Sequence, residues 1–322
     1  LVWSSSLPGD ASSPMRYLPL MGDTKPHLMV RTVNNLGAET HVDYASSTAF
    51  YLRDRDAGCP WVTRLPFPVH VVERVQTFDR VSSSVFASRY SYHHGFFDGV
   101  EREFRGFARV EQYDTAQFDA RTDMDPANLD DQSSVPEVMT KTWFHTGALV
   151  DARHVSDLLA GEYYREPGLD EGGAQDMLLP DSQLPGELSP EELREAMRAL
   201  KGSILRQEVY ALDTEPSGEP KEASSHPYSV VERCYQVRRV QRRGGNQHAV
   251  FETYSDQVLT HHYERDPRDP RVQHAVTIEV DDFGNVLKEA AIAYGRRTDR
   301  VDALIQSDRE AQTRDLITYS EH

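Results

Sequence analysis

Apolar and polar residues alternate along most of the chain, and this alternation predicts β-strands. Apolar positions recur with a period of two in residues 69–78, and the runs 84–92 and 100–111 continue the pattern. Farther along, the stretches 231–238 and 276–294 alternate in the same way. A period of two is the spacing of a strand that buries one face. The sequence therefore predicts a mainly β fold, an antiparallel meander of hairpins with one surface helix.

Turn residues separate the predicted strands. Residues 34–37 (Asn-Asn-Leu-Gly) predict an early hairpin, and residues 93–95 (His-His-Gly) predict a turn between two strands. Residues 282–285 (Asp-Phe-Gly-Asn) predict a hairpin loop whose glycine can adopt positive φ. Gly106 interrupts an alternating run where a β-bulge would sit. These breaks are the ones that consecutive antiparallel strands require.

One segment carries a helical period instead. Ser189 is placed to cap a helix, Pro190 occupies its first position, and Glu192 completes a capping box. An apolar stripe at helical spacing follows, formed by Leu193, Met197, Leu200 and Ile204. The stripe is narrow and the other positions are mostly charged. We therefore expect a helix at 190–201 that packs against the outside or the rim of the sheet.

Changes in composition divide the rest of the chain. Residues 1–68 mix short apolar runs with Pro, Gly and Asn, whereas 69–322 carries the long strand pattern. Within the latter, 114–136 is acidic but lacks the ligand order of a calcium-binding loop, so we interpret it as a solvated acidic loop. The stretch 162–186 is rich in Gly, Pro and Asp and is predicted to be a long surface loop.

The charge balance excludes several classes of function. Of 322 residues, 52 are acidic and 35 are Lys or Arg, which gives a net charge of −17 at pH 7. Nucleic acids and anionic membranes repel such a chain, and no apolar run approaches the roughly 20 residues that span a bilayer. Two cysteines are too few for a disulfide scaffold. The sequence starts at Leu1 without a leader pattern, so we expect an excised fragment in which a missing signal peptide says little about export.

Two histidine pairs, His93-His94 and His261-His262, suggest a metal site. Adjacent residues of a strand point to opposite faces, so neither pair can chelate with both rings. A site would need one histidine from each pair and a carboxylate such as Asp98 or Glu264. No ligand spacing supports that combination, and we expect no metal.

Candidate catalytic groups are few. Glu101 and Glu103 resemble the Glu-x-Glu element that ADP-ribosyltransferases place on a strand, although alternating acids on a solvated strand are ordinary. Cys59 lies beside Pro60 and is expected to be a small packed side chain, and Cys234 lies on a strand with no histidine placed to activate it. The sequence also lacks a phosphate-binding loop and a nucleophile elbow. We expect no catalytic and no cofactor-binding residue.

Several longer runs resemble the B component of bacterial insecticidal toxin complexes, of the TcdB/TcaC type. The matching runs are 34–40 (NNLGAET), 44–48 (YASST), 66–72 (PFPVHVV), 92–99 (YHHGFFDG), 101–107 (EREFRGF), 198–202 (RALKG), 262–265 (HYER), 269–272 (DPRV) and 282–286 (DFGNV). They span most of residues 25–297, and runs of this length are more specific than any catalytic motif above. The acidic loop and residues 162–188 are the weak parts of the match.

The resemblance implies a structural role. In that family, the N-terminal side of this region closes an integrin-like β-propeller, and the following part contributes to a hollow shell of Rhs/YD-type repeats. The resemblance assigns 1–68 to the end of the propeller and a linker, and 69–322 to the shell. The implied partners are a C component, which carries the toxic enzyme, an A component, which forms the translocation channel, and the enclosed effector polypeptide. It implies a secreted complex, no enzymatic activity in this stretch and no direct membrane insertion.

Two alternatives from other classes stay open at this point. One is an ADP-ribosyltransferase-like toxin domain, and the other is a secreted carbohydrate-binding β-domain with an exposed aromatic platform. The acidity also has two interpretations: it keeps a secreted protein soluble, or it attracts a basic, unfolded cargo. The second would use alternating carboxylates on the concave face of the sheet, with Glu101, Glu103, Glu279 and Asp281 as the best candidates.

Overall fold

One large antiparallel sheet dominates the protein. The structure, a computed structural model, describes residues 2–5, 7–10, 12–18, 25–115, 137–150, 153–214, 219–297 and 305–322. The strands are β1 Val2–Trp3, β2 Arg16–Tyr17, β3 Arg31–Val33, β4 Ala38–Ser46, β5 His70–Asp79, β6 Ser84–Asp98, β7 Glu103–Thr115, β8 Val138–Phe144, β9 Leu149–Val150, β10 Arg153–His154, β11 Ile204–Ala211, β12 Ser229–Gln241, β13 Val250–His262, β14 Arg271–Val280, β15 Val286–Ala293 and β16 Leu316–Glu321. The helices are α1 Ser47–Asp56, α2 Val155–Leu159, α3 Glu171–Asp176, α4 Pro190–Ala199 and α5 Gln306–Gln312.

The sheet is a meander, as the alternation predicts. Its twelve strands lie in the order β16-β15-β14-β13-β12-β11-β8-β7-β6-β5-β4-β3. Chain neighbours are therefore sheet neighbours throughout, except between β8 and β11, where the chain leaves the sheet to form β9, β10 and three helices. Every pairing of strands within the sheet is antiparallel. The predicted mainly β fold is confirmed.

The predicted turn at residues 93–95 is wrong. These residues lie inside β6, and the chain reverses four residues later, between Asp98 and Glu103. His94 nevertheless has a positive φ of 56°, so the strand is locally distorted at this point. The bulge at Gly106 is present, since its φ is 91° and the register shifts between the Gly95–Phe107 and Phe97–Phe104 pairs. The glycine in the alternating run therefore indicated the bulge correctly, whereas the histidine pair did not indicate a turn.

Helix α4 forms as its capping signal predicts. The Ser189 hydroxyl accepts a hydrogen bond from the Glu192 N–H at 3.2 Å, and the Glu192 carboxylate accepts one from the Ser189 N–H at 3.2 Å. Its buried side packs on a face of the sheet over β12 and β13, where Met197 and Leu200 are fully buried beside Val237. The predicted stripe extends too far, because Ile204 starts β11 rather than continuing the helix.

The stretch 162–186 lies at the surface, where about half of its residues are exposed, but the rest packs on the sheet, which the surface-loop prediction did not anticipate. A 3-10 helix at Ala160–Glu162 leads into it, and α3 lies within it. Gln183 forms an isolated bridge with Gln236 of β12, and Ser182 is 4% exposed. Of the predicted acidic loop, residues 116–136 lie outside the described part, and Asp114 and Thr115 are the last residues of β7.

Candidate functional site

Charged side chains hold residues 160–181, here called the strap, against the sheet. The clearest contact is made by Glu162, which binds three residues of three consecutive strands. Its carboxylate lies 2.8 Å from His94 Nε2 of β6 and accepts hydrogen bonds from Arg109 of β7 at 2.7 Å and from the Trp143 indole of β8 at 3.1 Å. Burial would raise the pKa of Glu162, but the hydrogen bond with His94 and the charge of Arg109 outweigh it and lower the pKa to about 2.

A second cluster lies under the strap on β11 and β12. Arg206 donates to Glu208 at 2.7 Å and to Glu232 at 2.6 Å, and all three residues are at most 7% exposed. The guanidinium also lies 4.7 Å from the ring centre of Tyr163 in the strap. Burial disfavours the charge of Arg206, but the two carboxylates outweigh it and raise its pKa, whereas burial raises the pKa of Glu232.

The strap supplies two of the hydrogen bonds that this cluster receives. With one guanidinium and two carboxylates, the cluster has more acceptors than Arg206 can satisfy. The Tyr164 N–H donates to Glu208 at 2.8 Å, and the Leu179 N–H donates to Glu232 at 2.6 Å. The strap is therefore part of the buried network and not simply a cover over it.

Glu166 makes the third contact. Its carboxylate accepts hydrogen bonds from Arg297 at 2.6 and 3.1 Å and from the Tyr263 hydroxyl at 2.9 Å. Tyr263 stacks on His261, with ring centres 5.6 Å apart. A cavity of about 40 Å³ separates the strap from this part of the sheet, and Tyr164 and His261 are among its lining residues. Burial, and then the charge of Arg206, lower the pKa of His261 to about 4.

The two candidate transferase carboxylates are engaged in ion pairs with α4 and the residues after it. Glu101 lies in the turn before β7 and pairs with Arg194 at 3.4 Å. Glu103 pairs with Arg198 at 3.2 Å and with Lys201 at 2.9 Å. These contacts give both carboxylates a structural role, which is to dock the helix on the β6–β7 turn.

The other two candidate acids for a cargo-facing surface also make local contacts. Glu279 pairs with Lys288 across the β14–β15 hairpin. Asp281 accepts hydrogen bonds from the N–H groups of Phe283 and Asn285, both at 2.8 Å, and so fixes the hairpin loop. The predicted hairpin loop at 282–285 is therefore present, and the two acids beside it stabilise the hairpin.

The first histidine pair departs from strand alternation. Because His94 has positive φ, both rings contact the segment after β4, and their centres lie 6.4 Å apart. His93 Nδ1 lies 2.6 Å from Asp54 of α1, and His94 Nδ1 accepts a hydrogen bond from the Val62 N–H at 3.1 Å. Asp98, the proposed co-ligand, instead pairs with Arg105 at 2.5 Å. The argument from alternation was thus wrong for this pair, although its rings bind protein groups.

The second histidine pair and its carboxylate are similarly occupied. His261 is buried beneath the strap, and Glu264 pairs with Arg271. Within the described residues, no group of three His, Cys, Asp or Glu side chains is arranged to hold a metal ion. The absence of a metal and of a cofactor stays a prediction.

The two cysteines differ in their surroundings. Cys59 is exposed, so the prediction of a packed side chain is wrong, whereas Cys234 is buried, and burial raises the pKa of its thiol to about 12. The thiol of Cys234 is therefore protonated at neutral pH and is a poor nucleophile. Two larger cavities have volumes of about 240 and 230 Å³; the first lies beside the strap near Asp181 and Glu232, and the second is lined by Tyr51, Trp61 and prolines.

Sequence reasoning missed the strap residues because their partners are distant in the chain. Glu162 binds His94, which is 68 positions away, and Glu166 binds Arg297, which is 131 positions away. One local signal was available: Arg206 and Glu208 occupy the same face of a strand that is otherwise largely apolar. Two charges at such positions indicate a buried ion pair or a functional site.

Two family models match the chain, and both describe the insecticide toxin TcdB. The model of the TcdB middle/N-terminal region matches residues 10–147, and the model of the middle/C-terminal region matches residues 195–322. The chain is therefore part of an insecticidal toxin component, a class to which its large antiparallel sheet conforms. Within that class, it belongs to the TcdB family.

Solved structures agree with this assignment. A TcdB2–TccC3 complex is 27% identical, with a TM-score of 0.71 over 90% of this chain and 14% of that chain. A TcdB2–TccC3 complex without the hypervariable C-terminal region is 29% identical, with a TM-score of 0.72 over 90% and 14%. The Photorhabdus luminescens Tc holotoxin pore is 30% identical, with a TM-score of 0.68 over 87% and 12%. A search of curated proteins found no match.

The chain thus spans only about one seventh of the solved chains that it matches. Among the described residues, no helix is long and apolar enough to cross a membrane.

Proposed function

We propose that this chain forms part of a hollow β-shell that encloses a toxic effector polypeptide and delivers it through a propeller to a translocation channel. The observation that supports this most directly is the twelve-stranded sheet, whose outer strands β3 and β16 have no further strand paired with them among the described residues, together with its similarity to TcdB2 in complex with TccC3. Residues 1–68 would close the propeller and link it to the shell, with β3 and β4 joining the large sheet at its edge, and 69–322 would belong to the Rhs/YD-type shell wall.

The outer strand β16 has features that favour further strands beyond it in the full-length protein. Its apolar side chains are exposed, since Leu316 is 66%, Ile317 is 69% and Tyr319 is 53% accessible. An exposed, apolar edge strand is an aggregation hazard unless further strands cover it. In the full-length toxin, we propose that additional shell strands cover this edge.

The partners follow from the same proposal. TcdB2 is seen with TccC3, and a related chain is part of a holotoxin pore. By analogy, this chain would assemble with a C component, which closes the shell and carries the effector, and with an A component, which forms the channel. Its place of action would be extracellular, as part of the secreted complex, and its role structural rather than enzymatic.

The edge of β16 offers a specific test. The His322 N–H donates to Leu287 O at 2.9 Å, and hydrogen-bonded pairs alternate along an antiparallel ladder. The N–H of Tyr319 therefore points away from β15, toward any added strand. Tyr319→Pro would remove that donor while keeping the pairing with β15, and Tyr319→Ala is the matched control.

The assay uses the full-length protein with its C component and measures how long the effector survives added protease. We expect the wild type and Tyr319→Ala to protect the effector, and Tyr319→Pro to lose that protection. An effector that is cleaved equally fast with and without the wild-type shell would refute enclosure. NAD consumption by the assembled shell without effector, abolished by Glu103→Gln, would instead favour the transferase alternative.

A further inference from the structure

The strap crosses the junction between the two halves of the sheet. The two family matches end at residue 147 and resume at residue 195, so the strap lies in the interval between them. Strand β8 belongs to the first half and β11 to the second, and these two strands pair directly. The strap therefore lies within the longest excursion of the chain between neighbouring strands of the sheet, which runs over residues 145–203.

Its contacts divide between the two halves. Glu162 binds His94, Arg109 and Trp143, which all belong to the first half. The contacts of Tyr164, Glu166 and Leu179 go to the second half, to Glu208, Glu232, Tyr263 and Arg297. A segment of about twenty residues thus joins both halves mainly through carboxylates and their donors.

His261 lies in the wall of the cavity under the strap, next to these contacts. The charged groups around it are Arg206 of β11, Glu166 of the strap, Arg297 and the neighbouring His262. Adding a proton to His261 would place a charge in a poorly solvated space, where Arg206 and Arg297 repel it and Glu166 offsets part of that repulsion. Opening of the strap would let water reach the ring, which would remove the desolvation penalty and screen the repulsion.

We propose that the strap is an acid-releasable brace across the two halves of the sheet, with His261 as the group whose protonation opens it. The proposal concerns movement within this chain and does not depend on the shell function. It holds or fails by the exposure of the strap alone.

The sign and size of the effect follow from linkage. With the strap closed, the pKa of His261 is about 4, and the open form has the ordinary value of about 6.5. The open form therefore binds the proton more tightly, and acidification between these values favours opening. For one such group, the equilibrium between open and closed forms shifts about 30-fold between pH 7.5 and pH 5.

The carboxylates change their contribution to strap closure over a different pH range. The pKa of Glu162 in the closed form is about 2, below its ordinary value, so its contribution is complete above pH 4.5 and is lost as the pH falls toward 2. Glu232 acts in the opposite direction, because burial raises its pKa and protonation becomes easier in the closed form. Of these three groups, only His261 favours release as the pH falls from 6.5 to 5, and Glu232 opposes it.

Hydrogen–deuterium exchange of the full-length protein tests this proposal, with rates corrected for the intrinsic effect of pH. We expect the protection of peptides covering 160–181 to fall from pH 7.5 to pH 5 by up to about 30-fold, since Glu232 opposes part of the effect of His261, while α4 keeps its protection. His261→Gln should abolish most of this fall, and His262→Gln, on the same strand, should leave it intact. Glu162→Gln should lower the protection of the strap at both pH values.

Three results would overturn the proposal. One is a wild-type strap whose protection from exchange is the same at pH 5 as at pH 7.5. This result needs no variant, so it does not depend on whether a variant folds. Another is simultaneous loss of protection in the strap and in α4, which would indicate general acid unfolding. The third is an equal fall in His261→Gln and wild type, which would assign the response to other groups.

Discussion

Gly147 provides a sharp test of how α4 is docked on the sheet. It follows β8 with a φ of 68°, and an added Cβ would lie 2.6 Å from the carbonyl oxygen of Met197 in α4. Its own carbonyl accepts a hydrogen bond from Arg105 at 3.2 Å. Gly147→Ala therefore introduces two separate penalties, a strained backbone and a clash with helix backbone that no side-chain rotation can relieve.

The two penalties can be estimated separately. The left-handed conformation costs an alanine roughly 1–2 kcal/mol relative to glycine. Overpacking against a fixed neighbour costs about 1–3 kcal/mol more, because the helix backbone must move away. Gly202 is the matched control, since its φ is 86° but an added Cβ meets nothing within 4 Å. Gly202→Ala should show only the first penalty.

Hydrogen–deuterium exchange of α4 peptides in the full-length protein measures both variants. Since about 1.4 kcal/mol corresponds to a factor of ten, we expect α4 to open roughly 5- to 150-fold more often in Gly147→Ala than in Gly202→Ala. Equal exchange in the two variants would refute the reasoning, because it would mean that α4 does not rest on the backbone of Gly147.

Other perturbations have expected outcomes of similar clarity. Leu200→Asp should destabilise α4 by several kcal/mol, because it forces a charge into a fully buried contact. Leu36→Asp is the control and should change little, since Leu36 is 83% exposed. Hydrogen–deuterium exchange of α4 peptides compares the two variants. Arg206→Met should cost about 3–5 kcal/mol at pH 7, because it leaves Glu208 and Glu232 buried without a cation. That loss should shrink at pH 5, where the orphaned carboxylates can take up protons, and denaturant unfolding at the two pH values checks this; a loss of the same size at both would contradict it.

The sequence predicted those features whose cause is local. The capping box of Ser189 and Glu192 lies within four residues, and the alternation of apolar positions defines a strand without reference to its partner. The misplaced turn at residues 93–95 shows the limit, because a residue with positive φ inside a long strand has the same composition as a turn. Only the pairing with Arg109 and Phe107 of β7 distinguishes the two.

The strap was unpredictable for a different physical reason. A segment rich in Gly, Pro and Asp resembles a loop because it lacks an apolar stripe, and packing is normally inferred from apolar stripes. Glu162 and Glu166 are instead held by charged and aromatic donors from strands far away in the sequence. Such contacts leave no periodic signal in the segment itself.

The buried charges also explain why the strap and the sheet must form together. The cluster on β11 and β12 contains two carboxylates and one guanidinium, so a strap that is only partly lifted would leave acceptors unfilled while water is still excluded. The N–H groups of Tyr164 and Leu179 fill those acceptors only when the strap is in place. An apolar cover could slide or loosen gradually, whereas a hydrogen-bonded cluster is costly when only partly satisfied. The strap should therefore be either closed or open, and this two-state behaviour is what would allow one buried histidine to control it.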